Sequence, residues 1–305
     1  MARKVKLILN PMADMGQAWR VANDLRPIAA EHGGVDWSGT VYPTHAVELA
    51  KQAGLDGYDL VVAMGGDGTV HEVINGLMQV PAEKRPALGI VPIGSGNDCA
   101  FALGLPKDAP HAMAHALNTE PGTMDLGLLT DEHGRQKYFD NSVGIGFNTI
   151  VTINSHKLPV LRGVVMYFAA VIQTILFNHD PAKMQIDIDG QNFDRETQMV
   201  VICNGPREGG GFMLAPNAKS TDGILDYLLV RKMGRATMFR MLIAVMQQTH
   251  GTLPQVSMGT CKKVTIISEK PMYIHTDGEV QTSFGSNIKR ITVEILPDIL
   301  RVVKG

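Results

Sequence analysis

Apolar runs of strand length alternate with segments of helical spacing through residues 3–105, and this alternation restricts the fold more than any other feature. The strand-like runs are KVKLILN, VDWSGTVY, DLVVAMG and ALGIVP, and helical segments such as GQAWRVANDLRPIAAEHG, THAVELAKQAG and TVHEVINGLMQ lie between them. Consecutive parallel strands need a long crossover, which is usually a helix. The alternation therefore predicts an α/β fold, a parallel sheet with flanking helices. Thr44 is predicted to be the N-cap of the second helix.

From about residue 123 the rhythm changes, because strand-like runs follow one another mostly without helices between them. Two segments of helical length, 161–177 and 234–250, interrupt the series. The strand-like runs are MDLGLL, QKYFDNSVGIGF, KMQIDID, TQMVVICN, GILDYLLV, KKVTIIS, PMYIHT and RITVEIL. This pattern is typical of an antiparallel β sandwich or sheet.

The length of 305 residues is comfortable for two domains. The change of rhythm places the boundary near 125–130. We predict a nucleotide-binding α/β domain over 1–127 and a β-rich, sandwich-like domain over 128–294. The C-terminal residues 295–305 are predicted to pack back on the first domain.

Composition and charge exclude several classes of protein. The net charge of −2 gives no general attraction to nucleic acid, which is not expected as a partner. Three widely spaced cysteines without a CxxC pair favour neither a zinc site nor a disulfide framework. The longest apolar run, 163–177, is shorter than the ~20 residues of a membrane-spanning helix. We therefore expect a cytoplasmic protein.

Three glycines and a carboxylate stand between a predicted strand and a predicted helix in DLVVAMGGDGTVHEVINGL. Gly65 and Gly66 fall at the carboxyl end of the strand, where open parallel sheets bind ligands. A helix beginning near Thr69 would direct free N–H groups towards a phosphate, and Asp67 would hold Mg²⁺ beside it. The alternative is a tight strand–helix turn with Asp67 as a helix cap.

A second loop, GIVPIGSGNDCAFALGLP at 89–106, repeats the order of strand, glycine turn and helix. Ser95 and Asn97 are able to cap a helix or donate to phosphate, and Asp98 lies in the first helical turn. A third loop, LNPMADMGQA at 9–18, also joins a strand to a helix. Polar glycine loops at neighbouring strand ends predict a nucleotide site.

The motifs GGDGTVHEVINGL and PIGSGNDCAFALGLP together resemble the diacylglycerol kinase catalytic-domain family, including its bacterial lipid kinases. The resemblance covers nearly the whole chain. LNPMADMG is similar to the first loop of the family, and its later blocks match MDLGLL, FDNSVGIGFN, CNGPREGGGFMLAPNAKSTDGILDYLLV and HTDGEV, in order. One departure is notable, because MADMG stands where the family prefers SG and a further glycine.

The resemblance implies an NAD-kinase-like α/β domain and a β-rich domain that face each other across an ATP cleft. It implies an ATP- and Mg²⁺-dependent kinase of lipid metabolism and phospholipid biosynthesis that phosphorylates a lipid hydroxyl. An NAD kinase shares GGDGT and is the first alternative, and a non-catalytic nucleotide- or lipid-binding regulator is the second. The lipid stays open among diacylglycerol, phosphatidylglycerol, a polyprenol and a long-chain base.

The resemblance also assigns residues to the nucleotide. Ser95 replaces the threonine that is usual in the family and keeps the hydroxyl group. The residues implied to bind ATP are Asn10, Thr40, Gly65, Gly66, Asp67, Gly68, Thr69, Glu72, Gly94, Ser95 and Asn97.

Later blocks carry the implied metal and catalytic groups. Asp222 in KSTDGIL is implied to bind a structural Mg²⁺, with the backbone carbonyls of Lys219 and Ile224 nearby. Glu279 in TDGEV is implied to accept the proton of the lipid hydroxyl, with Asp277 beside it and Asp67 at the phosphates. Both stretches are also ordinary hairpin-turn sequences.

The segment RKMGRATMFRM at 231–241 mixes arginines and a lysine with methionines and a phenylalanine. A basic amphipathic surface of this kind is able to rest on anionic lipid, so we expect a transient peripheral contact at the inner membrane face. A solvated helix face packed on the core is the alternative. A homodimer is compatible with the sequence.

Overall fold

The structure is a computed structural model that describes residues 3–158, 163–178 and 180–305. It divides into two compact units. Unit 1 comprises Met1–Asp125 and Asp298–Gly305, and unit 2 comprises Leu126–Pro297. No helix in the described ranges is long and apolar enough to span a membrane.

Unit 1 is built on a parallel sheet, as the strand–helix alternation predicts. Its strand order is β2-β1-β3-β4, and every pair in it is parallel. The strands are β1 (Val5–Leu9), β2 (Asp36–Gly39), β3 (Leu60–Gly65) and β4 (Ala87–Pro92), and β5 (Gly122–Asp131) follows them. All residues of β3 and β4 are buried, because helices cover both faces of a parallel sheet.

The helices of unit 1 are α1 (Ala18–Glu31), α2 (His45–Leu55), α3 (Asp67–Leu77), α4 (Asp98–Ala102) and α5 (Ala109–Asn118). Leu25 of α1 and Met113 of α5 share one apolar cluster with Leu7 and Val62 of the sheet. Helices α2 and α3 pack closely, since a Cβ at Gly76 would lie 2.3 Å from the carbonyl oxygen of Val47. Glycine is therefore required at this crossing.

Unit 2 is antiparallel. Its remaining strands are β6 (Gln136–Phe139), β7 (Ser142–Gly146), β8 (Ala182–Ile188), β9 (Gln191–Cys203), β10 (Leu225–Arg231), β11 (Val256–Cys261), β12 (Lys263–Ser268), β13 (Ile274–Thr276), β14 (Glu279–Thr282) and β15 (Arg290–Val302). They follow the order β14-β13-β7-β9-β8-β12-β15, with β10 between β9 and β11. An apolar cluster that includes Phe139, Val200, Ile266 and Val293 fills its core.

Three helices accompany these strands: α6 (Phe147–Ser155), α7 (Gly163–Phe177) and α8 (Arg235–Met246). Helices α7 and α8 lie within the two predicted helical segments, whereas α6 is not among the sequence predictions. Chain beyond Pro297 returns to unit 1, where Val302 pairs with Leu88 in parallel and the Val303 N–H donates to the Leu88 carbonyl at 2.9 Å.

Candidate functional site

The two glycine loops of unit 1 lie in contact. Gly65 ends β3, and its carbonyl accepts a 2.8 Å hydrogen bond from the N–H of Ile93, just beyond β4. A Cβ at Gly94 would lie 2.5 Å from the Cα of Gly66, and a Cβ at Gly66 would lie 3.1 Å from the Cα of Gly94. Each glycine therefore makes room for the backbone of the other loop.

Asp67 links the same loops through its side chain. Its Oδ1 accepts hydrogen bonds from the N–H groups of Asp98 (2.6 Å) and Cys99 (3.3 Å), at the start of α4. The carboxylate thus caps a helix of the neighbouring loop, although it stands in the first turn of α3. A helix N-terminus favours negative charge, so this arrangement keeps an anionic oxygen donor at the loop.

Asn97 closes the second loop on itself. Its Oδ1 accepts from the N–H of Gly94 at 2.8 Å, and its Nδ2 donates to the Gly94 carbonyl at 2.7 Å. The residue has a φ of 54°, in the left-handed region that asparagine tolerates. Ser95 is exposed at the tip of the loop.

The first loop meets the others through Asn10. Its Nδ2 donates to Thr69 Oγ1 at 3.1 Å, and its Oδ1 accepts from the Met12 N–H at 3.0 Å. Asp14 and Met15 have φ values of 47° and 54°. Two residues that are not glycine therefore adopt the left-handed backbone in this loop.

Glu72 lies against helix α2. Its two carboxylate oxygens accept from the N–H groups of Thr44 (2.8 Å) and Ala46 (3.1 Å). Thr44 is the N-cap residue of α2, as the sequence predicts, but it has a φ of 70° and its side chain makes no cap hydrogen bond. Glu72 supplies the oxygens instead. Thr40 follows β2, and its N–H donates to the Leu9 carbonyl at 2.8 Å.

The carboxyl ends of four neighbouring parallel strands therefore bring together most of the predicted nucleotide residues. These are Asn10, Thr40, Gly65, Gly66, Asp67, Gly68, Thr69, Gly94, Ser95 and Asn97. The glycine contact leaves the N-terminus of α3 beside the loop, as a phosphate site requires.

In unit 2 the TDGE stretch forms a hairpin turn. Asp277 and Gly278 have φ values of 51° and 80° and join β13 to β14, where Thr276 pairs with Glu279. Asp277 is 9% exposed, and its carboxylate accepts hydrogen bonds from three backbone N–H groups, those of Asp140 (3.1 Å), Asn141 (2.9 Å) and Ser142 (2.9 Å). It anchors the turn to the start of β7, whereas Glu279 is exposed.

The implied metal loop is also a turn. Asp222 Oδ1 accepts from the Ile224 N–H at 3.3 Å, and Gly223 between them has a φ of 73°. Burial, followed by the negative charge of Asp222, raises the pKa of Asp226 to about 6. Asp222 and Asp226 therefore interact electrostatically, and carboxylate oxygens are ligands that Mg²⁺ prefers.

An apolar pocket in unit 2 is a feature that the sequence analysis did not find. It is partly open to solvent and lies among α6, α7, α8 and the strands beside them. Its described lining is apolar apart from Asn148, Tyr167 and Gln198. Asn148 was missed because α6 was not predicted. Tyr167 was missed because α7 was interpreted only as a helix of apolar composition.

Behind Asn148 and Tyr167 lies a buried polar cluster. Glu208 is 5% exposed, and its carboxylate accepts hydrogen bonds from Ser142 Oγ (2.5 Å), Asn148 Nδ2 (2.9 Å) and Tyr167 Oη (3.4 Å). His275 adjoins Asn148, and burial lowers its pKa although the carboxylates of Glu208 and Asp277 act in the opposite direction. The PREGGG stretch gave no signal of this cluster.

The protein therefore combines two kinds of unit. The first is a parallel α/β unit that carries paired glycine loops, and the second is an antiparallel β unit with an apolar pocket. The family model "Diacylglycerol kinase catalytic domain" matches residues 4–129, and "YegS C-terminal NAD kinase beta sandwich-like domain" matches residues 141–304. The chain belongs to the diacylglycerol kinase catalytic-domain family, a family of lipid kinases.

Individual relatives agree with this assignment. The chain is 34% identical over 248 residues to a Chromohalobacter salexigens protein named "Probable lipid kinase YegS-like", covering 80% of this chain and 76% of that one. It is 31% identical over 236 residues to a diacylglycerol kinase of Bacillus subtilis, covering 77% and 75%. A crystal structure of a protein from Bacillus anthracis str. Sterne, assigned to the diacylglycerol kinases, superposes with a TM-score of 0.80 at 26% identity, covering 99% and 97%.

Proposed function

We propose that this protein is a kinase that transfers the γ-phosphoryl group of ATP to the hydroxyl of a diacylglycerol-like lipid, with Mg²⁺ as cofactor. The observation that carries the lipid acceptor is the apolar pocket of unit 2. An NAD kinase would need a polar site for a second nucleotide, which this lining does not offer. Relatives named as diacylglycerol or lipid kinases support the same class of substrate.

The loops of unit 1 are the proposed nucleotide site. Phosphate oxygens would lie at the N-terminus of α3, beside the contact between Gly66 and Gly94. Asp67 would hold a Mg²⁺ ion, directly or through water, since it presents a carboxylate at the same loop. When bound, Mg²⁺ neutralises the charge that develops on the phosphates during transfer.

The hairpin of unit 2 is the proposed source of the base. Asp277 is engaged by three backbone N–H groups, which suits an anchor that orients the turn. Glu279 follows it and is exposed, so it is the carboxylate that is able to accept a hydroxyl proton. We propose Glu279 as the general base and Asp277 as its positioning residue.

Helices α7 and α8 are the proposed membrane contact. Their inner residues, among them Val171 and Met241, line the pocket, and their outer surfaces expose Phe177, Ile243 and Met246. The same two helices therefore present apolar side chains both to the pocket and to solvent. A lipid that leaves a bilayer at this surface would pass directly into apolar surroundings, at the inner face of a membrane.

The decisive experiment is incubation with [γ-³²P]ATP and Mg²⁺ in separate reactions with diacylglycerol, phosphatidylglycerol, a polyprenol, a long-chain base and NAD. We expect the label in an extractable lipid, with diacylglycerol as the preferred acceptor. Label in NADP, or release of inorganic phosphate with no labelled lipid, would contradict the proposal.

A further inference from the structure

His275 is a buried histidine with no role so far in the proposed phosphoryl transfer. It lies in β13, is 1% exposed, and pairs with Gly144 of β7. A Cβ at Gly144 would overlap His275 Nε2 and would lie 2.6 Å from Asn148 Nδ2. Glycine at this position therefore makes room for the imidazole ring to lie against β7 and meet Asn148.

The ring is hydrogen-bonded to the turn that leads to Glu279. The backbone N–H of Gly278 donates to His275 Nδ1 at 3.3 Å, and within the described residues this N–H has no other acceptor. Gly278 has a φ of 80°, and Glu279 is the next residue and is exposed. Because a backbone N–H cannot rotate away, Nδ1 must present its lone pair to it. The direction in which the chain leaves the turn therefore depends on this ring nitrogen.

The surroundings of the ring keep it uncharged. Burial lowers the pKa of His275, and His156 acts in the same direction, although the carboxylates of Glu208, Asp277 and Glu279 favour the charged ring. A charged imidazole donates from both nitrogens, whereas a neutral one keeps a lone pair on one of them. The lowered pKa therefore maintains His275 as a hydrogen-bond acceptor at neutral pH.

Asn148 and Glu208 hold the opposite edge of the ring. Asn148 Nδ2 lies 3.1 Å from His275 Nε2 and donates to Glu208 Oε2 at 2.9 Å. Glu208 is 5% exposed, and its Oε1 accepts from Ser142 Oγ at 2.5 Å. These groups come from three separate segments, which are α6, β7 and the chain that follows β9. The orientation of the ring is therefore set by elements outside the turn, as a group that positions another must be.

We propose that His275 is a positioning residue that fixes Glu279 for proton transfer, because its Nδ1 accepts the N–H of Gly278. Asp277 anchors the turn to the start of β7, and His275 sets the orientation of the peptide group that leads to Glu279. The inference rests on the proposed function, in which Glu279 is the base. The contact itself requires neither ATP nor lipid, so it is measurable apart from activity.

Two amide substitutions separate the two ring nitrogens. His275→Asn places a polar amide atom where Nδ1 stood, whereas His275→Gln places it at the distance of Nε2, beside Asn148. We expect His275→Gln to lower kcat about tenfold, the loss that corresponds to one hydrogen bond, with KM for ATP and for diacylglycerol within about twofold of wild type. His275→Asn should keep kcat within about threefold of wild type. Equal kcat in the two variants would overturn the proposal.

Hydrogen exchange of the Gly278 amide measures the same contact without catalysis. Nuclear magnetic resonance of ¹⁵N-labelled full chain, without nucleotide or lipid, gives the rate for this one amide. We expect exchange about tenfold faster in His275→Gln than in the wild type and in His275→Asn, because the acceptor of the N–H is lost. Unchanged exchange in His275→Gln would overturn the proposal, since the ring would not be what holds this N–H.

His250→Asn is the matched control. His250 is also 1% exposed and lies in unit 2, and its Nε2 lies 3.0 Å from the Leu214 carbonyl oxygen, outside the turn. The substitution removes this contact and should lower the melting temperature, while kcat and the exchange of the Gly278 amide stay as in wild type. A loss of kcat equal to that of His275→Gln would attribute both losses to stability and overturn the proposal.

Failure of the proposed function would be seen separately. A wild-type protein that phosphorylates no lipid, but whose Gly278 exchange depends on His275 as expected, contradicts the kinase proposal and leaves the contact in place. Phosphorylation of lipid with the same kcat in His275→Asn and His275→Gln contradicts only this inference.

Discussion

At the residue scale, the candidate nucleotide site depends on contacts between segments that are distant in sequence. The motif GGDG could be identified from the sequence, and so could GSGND. Gly66 lies against Gly94, and Asp67 caps the helix that begins at Asp98, because β3 and β4 are neighbouring strands. A pattern of single residues does not contain this information.

Gly66→Ala and Gly94→Ala test the contact between the loops. An added Cβ would meet backbone at 3.1 Å and 2.5 Å respectively, so the loops must separate, more so for Gly94→Ala. We expect both variants to lose ATP affinity by at least tenfold, with Gly94→Ala the weaker binder and the fold retained. Titration calorimetry and circular dichroism measure this. Gly234→Ala, where a Cβ meets nothing within 4 Å, is the control, and unchanged ATP affinity in Gly66→Ala would remove this loop from the site.

Glu279→Gln and Asp277→Asn separate the proposed base from its anchor. Loss of a general base lowers kcat by roughly 10²–10⁴-fold, so Glu279→Gln should show that loss with ATP affinity and melting temperature near wild type. Asp277→Asn removes charge-assisted hydrogen bonds from three backbone groups and should cost about 1–3 kcal/mol of unfolding free energy. Steady-state kinetics and denaturant unfolding distinguish them, with exposed Glu269→Gln as control. Normal kcat in Glu279→Gln would reassign the base.

At the element scale, the predicted parallel sheet and the strand-rich second half are both observed, and the differences lie at short or ambiguous elements. Helix α6 was missed because FNTIVTINS is rich in β-branched residues, which favour strands, and Gly146, with a φ of 80°, is what ends β7 before it. Strands β11 and β14 are also absent from the sequence predictions. Tertiary packing decides such elements, since local propensity is too weak to do so.

The loop at Asp222 is an element whose role is testable by metal addition. A metal that binds only the folded state raises the melting temperature. We expect Mg²⁺ to raise the melting temperature of the wild type and to have a much smaller effect on Asp222→Asn. Asp187→Asn, a half-buried aspartate in β8 outside the loop, is the matched control. An undiminished response in Asp222→Asn would leave this stretch as a hairpin turn.

The proposed membrane surface differs in character from the basic segment inferred from the sequence. Lys232 pairs with Glu196 at 2.9 Å, and Arg235 Nε donates to the Ile175 carbonyl at 3.1 Å, so two of its cations have partners within the protein. Arg240 is exposed together with the apolar side chains of Ile243 and Met246. Apolar contact should therefore contribute more than charge.

Ile243→Ser tests that contribution. Removing an apolar side chain that enters the interface should weaken binding to anionic vesicles about tenfold. Arg240→Glu should weaken it further at low salt, because charge attraction is screened over a Debye length of ~10 Å at 0.1 M. Vesicle co-sedimentation measures both. Ile267→Ser, an exposed isoleucine in β12, should bind as wild type, and equal loss in the two serine variants would exclude α8 as the contact.

At the scale of the whole molecule, the chain does not divide into two consecutive pieces. Unit 1 is completed by Asp298–Gly305, after the chain has formed all of unit 2. The sequence analysis predicted that residues 295–305 pack back on the first domain. It could not give the partner, which is β4, since the register of Val302 with Leu88 depends on which edge of the parallel sheet is open.

Leu300→Ala tests whether this C-terminal segment is part of the core of unit 1. Leu300, Val302 and Val303 are almost completely buried, and the Ile299 carbonyl accepts a 2.8 Å hydrogen bond from Arg85 Nη1. Truncating a buried leucine removes transfer free energy and leaves a cavity, at a cost of about 2–5 kcal/mol.

Because the glycine loops follow β3 and β4 in the same unit, the variant should unfold at a lower temperature and lose the stabilisation that ATP gives to the wild type. Scanning calorimetry with and without ATP measures both effects. Arg301→Ala, at the exposed neighbouring position, should match the wild type in both, and a Leu300→Ala protein with unchanged unfolding would show that unit 1 is complete without the returning segment.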